Sequence, residues 1–239
     1  MGRAGPGHPS AYPAFRDGSR SRHIRSAPFS SSGPLRHDED VAIQDGVPEV
    51  VTHYYLAGRR PFLNLSELEE PELAAVFAEL NELRHAGVQH RPFGARYMAL
   101  RRRTEARLRH LFLARGGTPE RLSPHYFVLG ESDWYESLAI GMQRVQLALS
   151  DLPEDQTTVT YPDSFTALGF GPEFGVPREP QPYHGRVFLL TELPELIGRF
   201  GVPSPRWRAE HQTWTTWPQE AYIEVQLWTD EAVRQHLTR

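Results

Sequence analysis

The chain has 239 residues, a formal net charge of -4 and 26 basic residues, every one of them arginine. Because cysteine is absent, disulfides, thiolate zinc sites and thiol catalysis are excluded. The absence of lysine excludes a Schiff-base enzyme and the lysine of a phosphate-binding P-loop. No window approaches the roughly 18 apolar residues of a membrane span, so no membrane association is expected.

Residues 1–46 differ in composition from the rest of the chain. They are crowded with Gly, Pro, Ser, Arg and His, and their few apolar residues, such as Phe15 and Phe29, are scattered. Such a segment cannot bury enough apolar surface to offset the entropy of ordering it. The composition therefore predicts a disordered tail over 1–46 and one folded domain over 47–239. The tail also lacks the apolar run of a secretory signal, which favours a cytoplasmic protein.

Two long helices are predicted in the first half of the folded region. The first opens at Glu70-Pro71, where proline suits the first turn, and ends at Gly87. The second covers 96–115, and one side of it carries residues at helical spacing. These residues are Leu100, Thr104, Leu108, Leu111 and Phe112. Arginines crowd the remaining surface, which is either a solvated face or an anion-binding face.

Strands dominate the rest of the folded region. Six segments are predicted as strands, five from β-branched and aromatic residues and the one at 145–149 from alternation of apolar residues with Gln146 and Ala148. They lie near 50–56, 125–129, 145–149, 157–161, 186–190 and 222–228. Because strands do not alternate strictly with helices, a doubly wound parallel sheet is not expected. The pattern predicts an α+β fold with a mixed, largely antiparallel sheet of about six strands and two long helices in the N-terminal half.

Several catalytic motifs are missing from the sequence. It has no Gly-x-Ser-x-Gly elbow, no His-Glu-x-x-His and no P-loop. Gly169, Gly171 and Gly175 have the spacing of a phosphate loop, but Pro172 interrupts them and no helix is predicted after them. The 11 histidines do not cluster at metal-ligand spacing, so no metal site is expected.

The last predicted strand carries an unusual acidic residue. Glu224 stands in a largely apolar segment, where glutamate is disfavoured. Alternation places Tyr222, Glu224, Gln226 and Trp228 on one face of the strand and three aliphatic residues on the other. The polar face is either part of an ordinary half-exposed antiparallel strand or a functional surface that joins a carboxylate to aromatic rings.

The order of these elements resembles the ADP-ribosyltransferase fold, particularly its DarT-like branch, which modifies DNA bases. The matching segments are Thr52-His53-Tyr54-Tyr55, Pro124 to Ser132, Thr160 to Asp163, and the strand that carries Glu224. The resemblance extends from Val51 to Leu237. It departs from the family because the usual Ser-Thr-Ser triplet is missing and the Thr-Asp-Gly turn of the branch is only loosely matched.

The resemblance implies an enzyme that uses NAD as its substrate. NAD would lose nicotinamide through an oxocarbenium-like state, and its ADP-ribose would pass to a nucleic-acid or protein acceptor. The implied catalytic residues are Glu224 and His53, and the implied NAD-binding residues are Tyr126, Arg103, Tyr161 and Ser132.

A non-enzymatic binding protein is the alternative. Its contact surface would combine a loop that carries Trp207, Trp214 and Trp217 with the Tyr222 and Trp228 face of the last strand. Trp, Tyr and Arg dominate the hot spots of protein interfaces, so such a surface is chemically suited to binding.

The two hypotheses require different geometries. The enzyme requires Glu224, His53 and Tyr126 to line one cleft. The binding protein requires a flat or convex aromatic patch and no convergence of those three residues. The sequence alone leaves both open.

Deletion of residues 1–46 should leave the thermal midpoint of unfolding within a few degrees of the full-length value, because the segment contributes little burial. The measurement is thermal unfolding of both proteins followed by circular dichroism. A large loss of stability would show instead that the tail docks on the folded domain.

Overall fold

The computed structural model describes residues 46–168, 181–202 and 222–237 of the chain. The predicted tail as far as residue 45, the glycine-containing loop after residue 168 and the loop with Trp207, Trp214 and Trp217 lie outside these ranges. Within the described part of the chain, no helix is both long enough and apolar enough to cross a membrane.

The two long helices are present where the sequence predicts them. The helices of the described residues are α1 (Glu70–His85), α2 (Ala95–Ala114), α3 (Asp133–Glu136), α4 (Ser164–Ala167), α5 (Leu193–Phe200) and α6 (Arg234–Leu237). Helix α1 has a proline in its first turn, and the chain turns away at Gly87 with a positive φ. Helix α5 ends at Gly201, which also has a positive φ.

One antiparallel sheet of five strands confirms the α+β class. Its strands are β1 (Val50–Leu56), β2 (His125–Leu129), β3 (Met142–Ala148), β4 (Thr157–Thr160) and β5 (Glu224–Leu227). Their order across the sheet is β3-β1-β2-β5-β4, and every neighbouring pair is antiparallel. The first two strands after the long helices, β2 and β3, therefore lie on either side of β1.

The predicted strand over 186–190 is wrong. Phe188 forms only an isolated bridge with Val159, through two backbone hydrogen bonds of 2.8 and 2.9 Å. Its neighbour Leu189 donates its backbone N–H to the Glu192 carboxylate at 2.7 Å. That bond closes the start of a short 3-10 helix at Leu190–Glu192, so the segment turns into α5 instead of extending along β4.

Both faces of the sheet are covered over its central strands, whereas the edge strand β3 exposes Gln143, Arg144 and Gln146. The first face carries aliphatic and aromatic residues such as Val51, Phe127 and Val225, which belong to one core cluster with Leu193 and Leu196 of α5. The opposite face lies beneath α2. It is the more polar of the two, because alternation along the central strands places hydroxyl, amide and carboxylate groups on it.

Helix α2 anchors itself to the sheet through its apolar stripe. Leu100, Thr104, Leu108 and Phe112 are buried, which confirms the predicted side of the helix. Phe112 lies 6.3 Å from Trp228 between ring centres, and both belong to a second apolar cluster with Leu108. Packing at this end fixes α2 across the polar face.

Leu108→Ala should lower the free energy of unfolding by roughly 2 to 5 kcal/mol, because Leu108 is completely buried against Phe112 and Trp228. The matched control is Leu113→Ala on the same helix, where the side chain is largely solvent-accessible and a cost below about 0.5 kcal/mol is expected. Denaturant unfolding measures both values. Equal small costs would contradict this packing of α2.

Candidate functional site

The polar face of the last strand is enclosed rather than half-exposed. Glu224 retains only 6% of its accessible surface, and Gln226 and Trp228 retain none. The interpretation of β5 as an ordinary half-exposed strand is therefore wrong. A helix that covers this face, which the local alternation of β5 does not reveal, accounts for the difference.

Glu224 is held by a small set of hydrogen bonds. Its Oε1 accepts from the side-chain amide of Gln226 at 2.9 Å, and the hydroxyl of Ser164 also bonds to the carboxyl group. The Tyr222 hydroxyl lies 3.5 Å from Oε2. Gln226 is itself fixed, because its amide nitrogen donates to Thr160 Oγ1 at 2.9 Å. The carboxyl group is therefore oriented from three sides.

The surroundings of Glu224 make it hard to ionise. Burial raises the pKa of its carboxyl group from the usual 4.5 to about 7, and the negative charge of Asp163 acts in the same direction. Hydrogen bonds from Ser164 and Gln226 and the charge of Arg101 oppose that increase. A carboxyl group with a pKa near 7 can hold or release a proton at neutral pH.

Asp163 brings a second carboxylate to the same side of the sheet. It caps α4, because its Oδ1 accepts from the backbone N–H groups of Phe165 and Thr166 at 3.0 and 3.1 Å. Its Oδ2 accepts from the Thr166 hydroxyl at 2.6 Å. The preceding residue, Pro162, accepts the backbone N–H of Glu224 at 3.1 Å. This turn thereby links the α4 cap directly to the strand with Glu224.

Four half-buried aromatic rings form a cluster that reaches the carboxyl group through Tyr222. Trp134 stacks near Tyr222 with ring centres 5.8 Å apart and planes 14° apart, and Tyr54 stacks on Tyr135 at 5.3 Å. The Tyr135 hydroxyl donates to that of Tyr222 at 3.1 Å. A chain of hydroxyl groups therefore connects this aromatic cluster (Tyr54, Trp134, Tyr135 and Tyr222) to Glu224.

A buried ion pair completes the polar face beneath α2. Arg101 Nε donates to Glu105 at 3.0 Å, and the hydroxyl groups of Tyr126 and Ser123 donate to the same carboxylate at 3.1 and 3.0 Å. The Arg101 guanidinium carbon also lies 4.5 Å from the centre of the Tyr126 ring. Tyr126 is thus held on the same face as Glu224, as the enzyme hypothesis requires.

His53 does not join Glu224, so the three residues that the enzyme hypothesis requires in one cleft do not converge. Alternation along β1 places it on the opposite, apolar face, where its ring stacks on Phe62 at 4.1 Å between centres. The Phe62 N–H donates to Nε2 at 3.0 Å, so Nδ1 carries the proton and donates to the Tyr126 carbonyl at 2.9 Å. Desolvation lowers the pKa of His53 to about 4, which keeps the ring neutral.

The other predicted site residues have different positions. Tyr161 is completely buried in the apolar core, and its hydroxyl donates to the Phe200 carbonyl at 2.7 Å. Arg103 is exposed on the side of α2 that faces away from Arg101, since residues two apart on a helix do not share a face. Ser132 caps α3, which carries Trp134 and Tyr135, so it positions aromatic rings of the site.

Sequence reasoning did not single out Glu105 and Arg101 from the arginine run. The signal was present, because Glu105 stands three residues before Leu108 and seven before Phe112, on the buried side of the helix. An acidic residue in that position requires a buried partner, and Arg101 four residues earlier supplies it.

Neither the described residues nor a comparison with known proteins identifies a cofactor. Among the residues that the structure describes, no group of three or more His, Asp or Glu is placed to hold a metal ion. No protein-family model, curated protein or solved structure matches the chain. The function must therefore be argued from the site alone.

The raised pKa of Glu224 should make the stability of the protein depend on pH. The protonated carboxyl group is favoured in the folded state, so its contribution is fully present below pH 4.5 and is lost as pH rises through about 7. Glu224→Gln mimics the neutral form. The free energy of unfolding of Glu224→Gln minus that of wild type should therefore increase by up to about 3 kcal/mol between pH 5 and pH 8.5, because only wild type loses stability over this range.

The measurement is urea unfolding of both proteins across that pH range, with Glu82→Gln on the exposed side of α1 as the matched control. The control should remain parallel to wild type. A Glu224→Gln curve that also remains parallel would show that the carboxyl group of Glu224 titrates normally.

Proposed function

We propose that this chain transfers ADP-ribose from NAD, with Glu224 as the catalytic carboxylate. The observation that carries the proposal is the placement of Glu224, which lies enclosed on the polar face of the sheet beside the aromatic cluster. A buried carboxyl group on a central strand costs stability, so a functional role gives a reason for its presence.

The arrangement suits the departure of nicotinamide from NAD. Positive charge develops on the ribose as the glycosidic bond breaks, as it does in glycoside hydrolysis. An ionised Glu224 that accepts a hydrogen bond from the ribose 2′-hydroxyl would stabilise that charge more strongly in the transition state than in the ground state. Gln226 and Ser164 would hold the carboxylate in the orientation required.

The strand arrangement supports the resemblance without reproducing its full set of residues. Strands β1, β2 and β5, which carry His53, Tyr126 and Glu224, are consecutive neighbours in the sheet. Tyr126 shares the face of Glu224, whereas His53 belongs to the core. In the proposed enzyme His53 supports the β1–β2 pair and does not contact the substrate.

The aromatic cluster and Arg91 are the groups that we propose bind NAD. A nicotinamide ring is flat and cationic, which suits the faces of Tyr and Trp rings beside a carboxylate. The guanidinium carbon of Arg91 lies 5.9 Å from the centre of the Tyr97 ring, and its charge acts on Tyr135. Arg91 is therefore a better candidate than Arg103 for the diphosphate of NAD.

The non-enzymatic alternative loses part of its proposed surface. Trp228 is completely buried, and its indole N–H donates to Thr158 Oγ1 at 2.9 Å. Trp228 is thus not available to a partner in the folded chain, whereas Tyr222 is half-buried. The tryptophan-rich loop of the same hypothesis lies outside the described residues.

Glu224→Gln should lower NAD turnover by about a hundredfold or more, because a charge-assisted contact made in the transition state would be lost. The assay incubates purified protein with labelled NAD and a panel of protein, DNA and RNA acceptors, and follows nicotinamide release and label transfer. Glu82→Gln should retain wild-type turnover. Wild-type protein that neither binds nor consumes NAD would end the proposal.

The pH dependence of turnover separates two roles for the same carboxyl group. If ionised Glu224 stabilises the ribose charge, the turnover of wild type should increase as pH rises through about 7. If protonated Glu224 donates a proton to a leaving group, turnover should decrease over the same range. The second result would retain the carboxyl group as catalytic but refute the role proposed here.

A further inference from the structure

A groove lies along the outer side of α2, between this helix and the segment that leads into β2. It has a volume of about 420 Å³. Arg102, Arg109, His110 and Leu113 line it from the helix, and Leu122 lines it from the opposite wall. None of these residues has a role in the proposed transfer of ADP-ribose.

The walls of the groove are unusually apolar for an exposed surface. Only three large hydrophobic side chains are exposed among the residues that the structure describes, namely Leu113 at 47%, Leu122 at 76% and Ile140 at 71%. Two of the three, Leu113 and Leu122, face the same groove. Apolar side chains gathered in a concave surface with a polar rim are typical of a binding site.

The rim of the groove is basic. The Arg109 guanidinium donates to the carbonyl oxygens of Pro119 and Arg121, which hold it in place without neutralising its charge. Arg102 forms an exposed ion pair with Glu70 at 3.2 Å, which offsets part of its charge. His110 adds an imidazole ring to the lining.

The one acidic residue that lines the groove does not offset this charge. Glu105 is buried, and Arg101 compensates its carboxylate at 3.0 Å. The groove therefore presents positive charge around an apolar centre. A ligand that complements it carries negative charge on both sides of an apolar group.

We propose that this groove binds an acidic peptide segment of a partner protein, with an apolar side chain seated between Leu113 and Leu122. A nucleic acid fits less well, since single-stranded nucleic acids bind on aromatic stacking platforms and no Phe, Tyr or Trp of the described residues lines the groove. The proposal is independent of NAD, because the groove is lined by residues other than Glu224 and the aromatic cluster.

Fluorescence anisotropy of the full-length protein tests the proposal. The probe is a labelled peptide of about 12 residues in which Leu alternates with Asp and Glu. Saturable binding is expected. Replacing the acidic residues of the peptide by Lys, or its leucines by Ser, should weaken binding by about tenfold or more, because charge complementarity or apolar contact is lost.

Leu122→Ser should weaken binding of the acidic peptide by about tenfold, since the exposed side chain forms one wall of the groove. Ile140→Ser is the matched control, with similar exposure outside the groove, and should bind as wild type. Thermal unfolding of both variants checks that the fold is retained, and Arg102→Gln provides a second test that leaves the apolar wall intact.

Three results would overturn the proposal. These are the absence of saturable binding to wild type, equal affinity for the lysine-containing peptide, and equal loss of affinity in Leu122→Ser and Ile140→Ser. Binding of a labelled single-stranded oligonucleotide that Leu122→Ser weakens, with no peptide binding, would assign the groove to nucleic acid instead.

Discussion

The structure depends on a sheet whose central strands are covered on both faces, one by an apolar core and the other by α2 over polar side chains. A polar group enclosed in this way costs about 1 to 3 kcal/mol if it lacks a partner. The side-chain atoms that are buried without a partner, among the described residues, belong to Arg59, His125, Thr157 and His184. None of these residues belongs to the hydrogen-bonded groups around Glu224 and Glu105. The polar groups of this face therefore serve as hydrogen-bond partners for one another, which avoids that cost.

The two carboxylates of this face illustrate different solutions to the same constraint. Glu105 is ion-paired with Arg101 and accepts from two hydroxyl groups, which compensates its charge inside the protein. Glu224 receives hydrogen bonds from neutral groups and lies near Asp163, so its charge is poorly compensated and its pKa rises to about 7. The ion pair of Glu105 suits a structural role, whereas the raised pKa of Glu224 suits a group that exchanges a proton near neutral pH.

His53 shows how a residue can resemble a catalytic group and still belong to the core. Both of its ring nitrogens are engaged, one with the Tyr126 carbonyl and one with the Phe62 N–H. Phe62 has a φ of 59°, a conformation that is unfavourable for a bulky residue. The hydrogen bond to His53 and the stacked rings hold Phe62 in this conformation. The histidine therefore stabilises the turn after β1.

Local pattern determined much of the fold. Helical spacing and flanking Pro and Gly residues located α1 and α2, and the buried side of α2 follows from Leu100, Thr104, Leu108 and Phe112. Runs of β-branched and aromatic residues located four of the five strands, and alternation over 145–149 located β3, which begins three residues earlier, at Met142. The segment over 186–190 has the same composition, yet it turns into a helix because the Leu189 N–H bonds to the nearby Glu192 carboxylate. Composition alone does not distinguish these two outcomes.

The sequence by itself also identified Glu224 as exceptional, because a carboxylate in an apolar strand is conspicuous wherever the strand lies. Only the tertiary structure decided which residues accompany it. Alternation within β1 shows that His53 and Tyr54 face opposite ways, but it does not show which face meets Glu224, since that depends on strand order and register across the sheet. Long-range pairing placed Tyr126 on the same face as Glu224, turned His53 into the core and enclosed the polar face beneath α2. These contacts join residues far apart in the chain, and their geometry is set by the packing of whole elements.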